Sequence, residues 1–211
     1  MARTSKQLPE LGLGKGAQTS RGMIRANLIL KAAANLFAEQ GYDSVSINEI
    51  GFAAGVTGPA VYRYFPSKEA LLVAIYEHLY RRNSEGLNAA LAETTEPPKT
   101  LERLIDHQIE LAIDEAEKIR IVASEERHLP EAEAETLSIQ RRKALRIWTD
   151  VVRQVRDDLG REDVDATVHA VLALINSISL RRGQADVSAR LREHLRKMAL
   201  AAVFVAVPSR A

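Results

Sequence analysis

The sequence predicts an all-α protein, and three features of the chain support this fold class. Apolar residues recur every three or four positions along most of its 211 residues, which is the spacing of one face of an amphipathic helix. Glycine or proline closes these stretches where a helix has to end. The stretch whose aromatic residues alternate as in a strand, 62–65, lies between Gly58-Pro59 and Pro66. These glycine and proline residues leave room only for a short helix between them.

The composition is that of a soluble globular protein. Hydrophobic residues make up 46% of the chain and charged residues 27%, which argues against disorder. The absence of cysteine excludes disulfides and thiolate chemistry and fits a reducing cytoplasm. No uninterrupted apolar run approaches about 18 residues, and the N-terminus lacks the apolar core of a signal peptide. We therefore expect a cytoplasmic protein that spans no membrane.

Charge is distributed unevenly along the chain. Basic residues outnumber acidic ones up to position 70, whereas acidic residues outnumber basic ones beyond it, and the net charge is +1. This asymmetry is compatible with an anionic partner at the N-terminal end.

The first two helices have clear boundaries in the sequence. Apolar residues share one helical face over residues 23–40, and Gly41 ends this helix. Ser46 and Glu49 then have the spacing of a capping box, in which each side chain bonds the backbone N–H of the other residue. The box opens a second, short helix that Gly55 ends.

A third helix follows at once. Thr57 is its predicted N-cap, and Pro59 is tolerated in its first turn because that turn has no N–H bond to lose. The helix ends by Phe65, since the residue before Pro66 is pushed out of the α region. Val61 and Phe65 are four positions apart and are expected to face inward together. Two short helices joined by a tight glycine-containing turn, behind a longer helix, match the helix-turn-helix arrangement.

The stretch from Arg25 to Ile75 resembles the N-terminal domain of TetR-family transcriptional repressors. The resemblance runs through ILKAAANLFAEQGYDSVSINEI and AAGVTGPAVYRYFPSKEALL, so it fixes many positions at once. One departure is Gly51, where the family usually has alanine. Glycine costs about 1 kcal/mol inside a helix, so we expect the second helix to be slightly weakened.

The resemblance implies a homodimer that binds double-stranded DNA at an approximately palindromic operator, with its recognition helices in successive major grooves. Hydroxyl groups and a cation would hold phosphates, at Thr57, Tyr62 and Lys68. Small apolar residues would lie nearest the bases, at Pro59 and Ala60.

Arg63 and Tyr64 are left pointing outward by this arrangement. Arg63 would reach a base edge or a phosphate, and Tyr64 the DNA backbone or a base. Tyr62 is alternatively a half-buried core residue and Arg63 a solvated charge, whereas Tyr42 and Phe65 are interpreted as packing residues. The predicted DNA-binding set is Ser46, Thr57, Gly58, Pro59, Ala60, Tyr62, Arg63, Tyr64 and Lys68.

Three parts of the chain are predicted, the first from its composition and the other two from the resemblance. Residues 1–20 would form a flexible basic arm, 21–66 the helix-turn-helix DNA-binding domain, and 67–211 an effector-binding and dimerisation domain. Within the last part, 67–91 would be a connecting helix capped by Ser67. The cations Lys15, Arg21 and Arg25 belong either to an arm that contacts DNA or to a disordered tail.

In this architecture an effector enters between the long C-terminal helices, in an apolar space with a few polar anchors. Trp148 is either a core residue or a stacking platform. The cations around Arg146 weakly resemble those of family members that sense acyl-CoA thioesters, or they form a solvated basic face. The effector would be an apolar or acyl-CoA-like small molecule. The candidate effector-binding residues are His107, Glu110, Leu111, Glu125, Arg146, Trp148 and Asn176.

The last two helices are strongly apolar, and the resemblance favours a four-helix dimer interface over burial within one subunit. The predicted interface residues are Val168, Val171, Leu172, Ile175, Leu191, Leu195, Met198 and Ala202.

Nothing in the sequence suggests an enzyme. None of the five histidines lies in an HExxH frame or pairs with another at ligand spacing, and there is no cysteine to complete a zinc site. Nucleotide-binding glycine motifs and the G-x-S-x-G nucleophile motif are absent too. We therefore expect no cofactor, no metal and no catalytic residue. The alternative function is an all-α protein-interaction module that does not bind DNA.

Overall fold

The computed structural model of the protein describes Gly16, residues 19–180 and residues 187–206. These residues form helices with no strand among them, so the all-α prediction is confirmed. The α-helices are α1 Ser20–Gln40, α2 Ile47–Ala53, α3 Gly58–Val61, α4 Lys68–Glu93, α5 Pro97–Asp114, α6 Ala116–Ser124, α7 Glu131–Val155, α8 Arg161–Asn176 and α9 Ala189–Val203. Short 3-10 helices at Glu126–His128 and Ser177–Leu180 follow α6 and α8.

The chain divides into two compact units, and the division falls inside helices. Unit one comprises the described residues up to His78 together with Ile121–Ala134. Unit two comprises Leu79–Arg120 and the described residues from Glu135 onward. Along the chain, the boundaries between the units fall within α4, α6 and α7 rather than at a linker. The predicted domain boundary after residue 66 therefore stays a prediction.

Local sequence signals set the helix ends of unit one. The capping box is present, with Ser46 Oγ accepting from the Glu49 N–H at 3.2 Å and Glu49 Oε2 accepting from the Ser46 N–H at 2.7 Å. These bonds to Ser46 hold the pKa of the Glu49 carboxyl below its ordinary value. Gly41 and Gly55 have φ angles of 82° and 68°, a region in which other residues are strained.

Unit one has a core shared by its four helices. Val61 is fully buried and Phe65 nearly so, which confirms that these two residues face inward together. The other buried apolar residues on α1, α2 and the start of α4 include Ile29, Ala33, Phe37, Ile50, Leu71, Leu72 and Ile75. Each such side chain contributes about 1.5–3 kcal/mol on burial, so a short α3 of four residues is fixed by its packing.

Gly51 has a packing role that the sequence did not reveal. It is buried in α2, and an added Cβ would lie 2.9 Å from Gly58 N and 3.0 Å from both Thr57 C and Val56 O. These are backbone atoms, so they cannot move aside cheaply. The glycine therefore permits a close approach between α2 and the start of α3, in addition to its cost in helix propensity.

Unit two has a larger core built from α5, α7, α8 and α9 with the end of α4. Its buried members are Leu87, Ala90, Leu101, Leu104, Ile105, Ile109, Ala112, Trp148, Val151, Val152, Val164, Val168, Val171, Ile175, Ile178, Leu195, Ala199 and Val203. Helices α5, α8 and α9 pack against one another in pairs.

Ion pairs fasten α9 to the rest of unit two. Arg196 reaches Asp106 Oδ1 at 2.9 Å and Glu102 Oε2 at 2.6 Å, both on α5. The buried Arg156, just after α7, pairs with Asp158 at 2.7 Å and donates to the carbonyls of Val203 and Val205. The end of α9 is thus held by hydrogen bonds to a charged group, which are stronger than neutral ones.

The segment Arg161–Leu180 is long and apolar enough to cross a membrane by length and composition alone. The sequence analysis looked only for uninterrupted apolar runs. It did not select this segment because Asp165 and His169 interrupt it. Core helices of soluble proteins have the same composition, and Val164 and Val168 of this segment pack in the core of unit two.

Candidate nucleic-acid interface

The predicted recognition helix of unit one consists of α3 and the residues that directly follow it. Thr57 precedes α3 in an extended conformation, and helical backbone bonds continue past Val61 to Phe65, whose N–H donates to Val61 O at 3.0 Å. Since Val61 and Phe65 are buried, Tyr62 and Arg63 between them point away from the core.

The outward face carries most of the predicted set. Thr57, Pro59, Tyr62 and Arg63 are exposed, with 53% of Tyr62 accessible to solvent. A core position for Tyr62 is therefore excluded. Among the described residues, no ion pair occupies the Arg63 guanidinium, so this cation is available for a phosphate or a base.

Four members of the predicted set are less accessible. Ala60, Tyr64 and Lys68 are half-buried. Gly58 is buried, and a Cβ added to it would collide with the side chain of Asn48 on α2. Gly58 therefore lets the start of α3 approach α2, together with Gly51, and offers little surface of its own.

Lys68 lies at the start of α4 against the turn after α1. Its Nζ is 4.3 Å from the ring centroid of Tyr42 and donates to Asp43 O at 3.4 Å. Tyr42 is thus a cation–π platform and not only a packing residue, which the sequence analysis missed. Burial raises the pKa of Tyr42, and the carboxylates of Glu69 and Asp43 raise it further, so its hydroxyl stays neutral.

The start of the described chain meets the end of the recognition helix. The Gly16 N–H donates to Arg63 O at 2.9 Å, and an added Cβ would lie 3.0 Å from the Tyr64 ring. Arg25 on α1 donates to Gly55 O at 3.4 Å, while Arg21 is exposed. Lys15 lies outside the described residues. The sequence analysis had no signal for the contact at Gly16, because the partner is 47 positions away.

Comparison with known proteins identifies the family. Residues 29–75 match the family described as bacterial regulatory proteins, tetR family, and residues 94–180 match the tetracyclin repressor-like, C-terminal domain. The chain belongs to the TetR family. It is a DNA-binding helix-turn-helix transcriptional regulator, and nothing supports the alternative of an interaction module without DNA binding.

Relatives of this TetR-family chain are regulators as well. The HTH-type transcriptional regulator CymR of Pseudomonas putida is 26% identical over 168 residues, which cover 78% of this chain and 82% of CymR. A TetR-family regulator from Bordetella parapertussis has the same fold, with a TM-score of 0.76 at 23% identity over 86% of this chain and 94% of that one. The structure of AibR in complex with isovaleryl coenzyme A and operator DNA also has this fold, with a TM-score of 0.70 at 20% identity. The similarity covers 84% of this chain and 96% of AibR.

The candidate effector residues of this TetR-family chain are scattered. Leu111 is buried, Trp148 is a core residue, and Arg146 is exposed. Glu110 is exposed and holds Arg192 with both carboxylate oxygens at 2.5 Å, so it serves an ion pair between α5 and α9. Glu125 belongs to unit one.

Two polar pairs remain inside unit two as possible anchors. Gln108 Nε2 donates to Asn176 Oδ1 at 2.7 Å, and His107 Nε2 lies 3.3 Å from Asn83 Oδ1. Burial lowers the pKa of His107, a hydrogen bond that the imidazole donates to Asn83 opposes this, and the positive charge of Arg82 lowers the pKa further. The imidazole is therefore neutral at physiological pH.

The predicted dimer residues divide into two groups. Val168, Val171, Ile175 and Leu195 are buried in the core of their own unit, so they have no surface to offer a partner. Leu172, Leu191 and Ala202 are half-buried, and Met198 is exposed. The exposed faces of α8 and α9 carry other residues that the sequence analysis did not select: Ala166, Ala170 and Ala173 on α8, Ser177 just after it, and His194 and Ala201 on α9.

Proposed function

We propose that this chain is a homodimeric repressor that binds an approximately palindromic operator and leaves it when a small molecule occupies unit two. The observation that supports the proposal is the outward face of α3, with Tyr62 and Arg63 exposed on a helix whose opposite side is buried. A rigid element with unpaired polar groups is what groove recognition requires, because the contacts are then preorganised.

The proposed DNA contacts fall into two kinds. Ser46, Thr57, Tyr62 and Lys68 hold phosphates, through hydroxyl groups and one ammonium. Pro59 and Ala60 contact thymine methyl groups, Arg63 reads a base edge or a phosphate, and Tyr64 lies between the two kinds. Gly58 takes part through packing, because its lack of a side chain brings α3 close to α2.

We place the dimer contact on the exposed faces of α8 and α9. Small residues at positions 166, 170 and 173 of α8 let a partner helix approach closely, and Met198 adapts its shape to what it meets. The half-buried Leu172, Leu191 and Ala202 would complete the interface at its edges.

The proposed effector is a largely apolar molecule with a few hydrogen-bonding groups. The interior of unit two offers neutral anchors, the Gln108–Asn176 pair and His107, and no buried free cation among the described residues. Because AibR was solved with isovaleryl coenzyme A, acyl-CoA thioesters are the first compounds to screen. An effector releases the operator only if it binds a conformation whose recognition helices are misplaced for the grooves. We expect all of this to occur in the cytoplasm.

The decisive experiment is selection of duplexes from a random-sequence library, followed by sedimentation of the protein with and without the enriched duplex. A repressor of this kind enriches a site with two inverted halves spaced by about one helical turn or a multiple of it, bound by two subunits. Enrichment of no sequence, or of a single half bound by a monomer at micromolar concentration, would overturn the proposal.

A further inference from the structure

A short part of the C-terminal chain belongs to the compact unit that carries the DNA-binding helices. Residues Ile121–Ala134 include the end of α6, the 3-10 helix Glu126–His128 and the start of α7. Within unit one the Tyr76 hydroxyl on α4 donates to Ile121 O at 3.3 Å. The segment is therefore packed into unit one, although both helices that frame it continue into unit two.

His128 in the middle of this segment stacks against Tyr42. The two ring centroids are 4.7 Å apart, with their planes tilted by 32°. Tyr42 also contacts Phe37, at 5.1 Å and 58°, so its ring is held between two other rings. Aromatic contacts of this kind are worth about 0.5–1.5 kcal/mol beyond the area they bury.

The imidazole of His128 is itself fixed by several charged neighbours. Its Nε2 accepts a hydrogen bond from Arg127 Nε at 3.0 Å. The same Nε2 lies 3.5 Å from Asp43 Oδ2 and 3.4 Å from Glu125 Oε2. Of these contacts, the hydrogen bond from Arg127 has the best distance.

Tyr42 in turn holds Lys68. The ammonium lies 4.3 Å from the ring centroid and donates to the carbonyl of the next residue, Asp43. A lysine side chain carries about 2 kcal/mol of rotamer entropy, which a phosphate contact would have to overcome. An ammonium already confined above a fixed ring loses less on binding.

We propose that His128 is a positioning residue for DNA binding, which acts through Tyr42 to hold Lys68 where a phosphate meets it. The inference rests on the proposed role of Lys68 as a phosphate contact. The segment 121–134 would then influence DNA binding in addition to α4. A change in the path of this segment would move His128 and leave Lys68 less confined. The imidazole needs no contact with DNA for this role.

A double-mutant cycle with a mixed-sequence DNA duplex tests the proposal, because phosphate contacts do not need the operator. Affinity is measured by fluorescence anisotropy over a range of salt concentrations for His128→Ala, Lys68→Ala and the double variant. His128→Ala is expected to weaken binding about two- to fivefold, the range of an exposed cation–π contact, with the salt slope unchanged. The double variant should bind no more weakly than Lys68→Ala alone.

Two further variants separate positioning from general stability. His128→Phe keeps a ring against Tyr42, so this variant should bind DNA with wild-type affinity. Glu131→Ala is an exposed change in the same segment, and its effect on DNA affinity should be additive with that of Lys68→Ala. If circular dichroism shows that His128→Ala does not fold, His128→Leu replaces it in the cycle, since leucine fills the space without a ring.

The outcomes distinguish this inference from the function on which it rests. Additive losses from His128→Ala and Lys68→Ala, or no rescue by His128→Phe, would overturn the role of His128 and leave the phosphate contact intact. An unchanged affinity and salt slope in Lys68→Ala alone would remove the phosphate assignment, and the positioning role with it.

Discussion

In unit one the residues proposed to meet DNA lie at the surface of a packed helical frame, whereas in unit two those proposed to meet an effector lie inside or against the core. Tyr62 is half-exposed, while Gln108, Leu111 and Trp148 are buried. A surface contact can be changed without disturbing the fold, but a buried one cannot. The two units should therefore respond differently to substitution, in stability for unit two and in DNA affinity for unit one.

The largest effect is expected from a charge placed in the core of unit two. Val171→Asp buries a carboxylate at a fully buried position without a partner cation, which should lower the free energy of unfolding by about 3–5 kcal/mol. The measurement is urea denaturation followed by circular dichroism.

The neighbouring position supplies the matched control. Ala170 is exposed on the same helix, so Ala170→Asp should leave the subunit folded and, if the proposed interface is right, split the dimer in a sedimentation experiment. A dimeric Ala170→Asp would move the interface elsewhere, and a stable Val171→Asp would contradict the core assignment.

A smaller effect is expected where α2 meets α3. In Gly51→Ala the added Cβ would lie within 3.0 Å of the backbone, and overpacking of about 1–3 kcal/mol should outweigh the roughly 1 kcal/mol that alanine gains in helix propensity. The melting temperature and DNA affinity should both fall. Phe52→Ala, at a position 88% exposed on the same helix, should leave both unchanged. A higher melting temperature for Gly51→Ala would show that α2 and α3 can separate freely.

The residues of unit one proposed to contact phosphates should respond in affinity alone. Lys68→Ala is expected to reduce the slope of log affinity against log salt by about 0.9, and Tyr62→Phe to weaken all duplexes to a similar extent, because phosphates carry no sequence information. Anisotropy titrations with operator and mixed-sequence duplexes measure both. A change in the preferred sequence, with nonspecific binding intact, would assign the residue to a base.

The smallest effect concerns the pH dependence of unit two. Since burial holds the pKa of His107 below its value in the unfolded chain, the unfolded state binds more protons, and stability should fall as pH drops below about 6.5. His107→Gln should flatten that part of the stability curve, while His194→Gln, an exposed change on α9, should preserve it. An unchanged curve in His107→Gln would show that the imidazole can be protonated in the folded protein.

The same contrast explains how much could be predicted from the sequence. In unit one the capping box at Ser46, the glycine at 55 and the inward pair Val61 and Phe65 depend on neighbours within a few positions, so their pattern is visible in the chain. The contact between Tyr42 and His128 joins residues 86 positions apart, and no local pattern indicates it.

Unit two was harder to predict for the same physical reason. The Gln108–Asn176 pair and the Glu110–Arg192 ion pair span 68 and 82 positions. The apolar stripe of α8 was correctly identified, but its valines face the core of their own unit, since an apolar face does not reveal which surface will cover it. The alanines of α8 that are proposed for the dimer are small and therefore gave little signal.

The contact between Gly51 and the start of α3 bears on any attempt to give this regulator a new operator. Gly51 and Gly58 bring the backbones of α2 and α3 together at a distance that a side chain at either position would increase. We expect a recognition helix transplanted from a relative with alanine at position 51 to fit this close approach less well. The exchangeable module in this protein is therefore the pair of helices with the turn between them, Ile47 through Phe65, and retargeting should replace the pair as one piece.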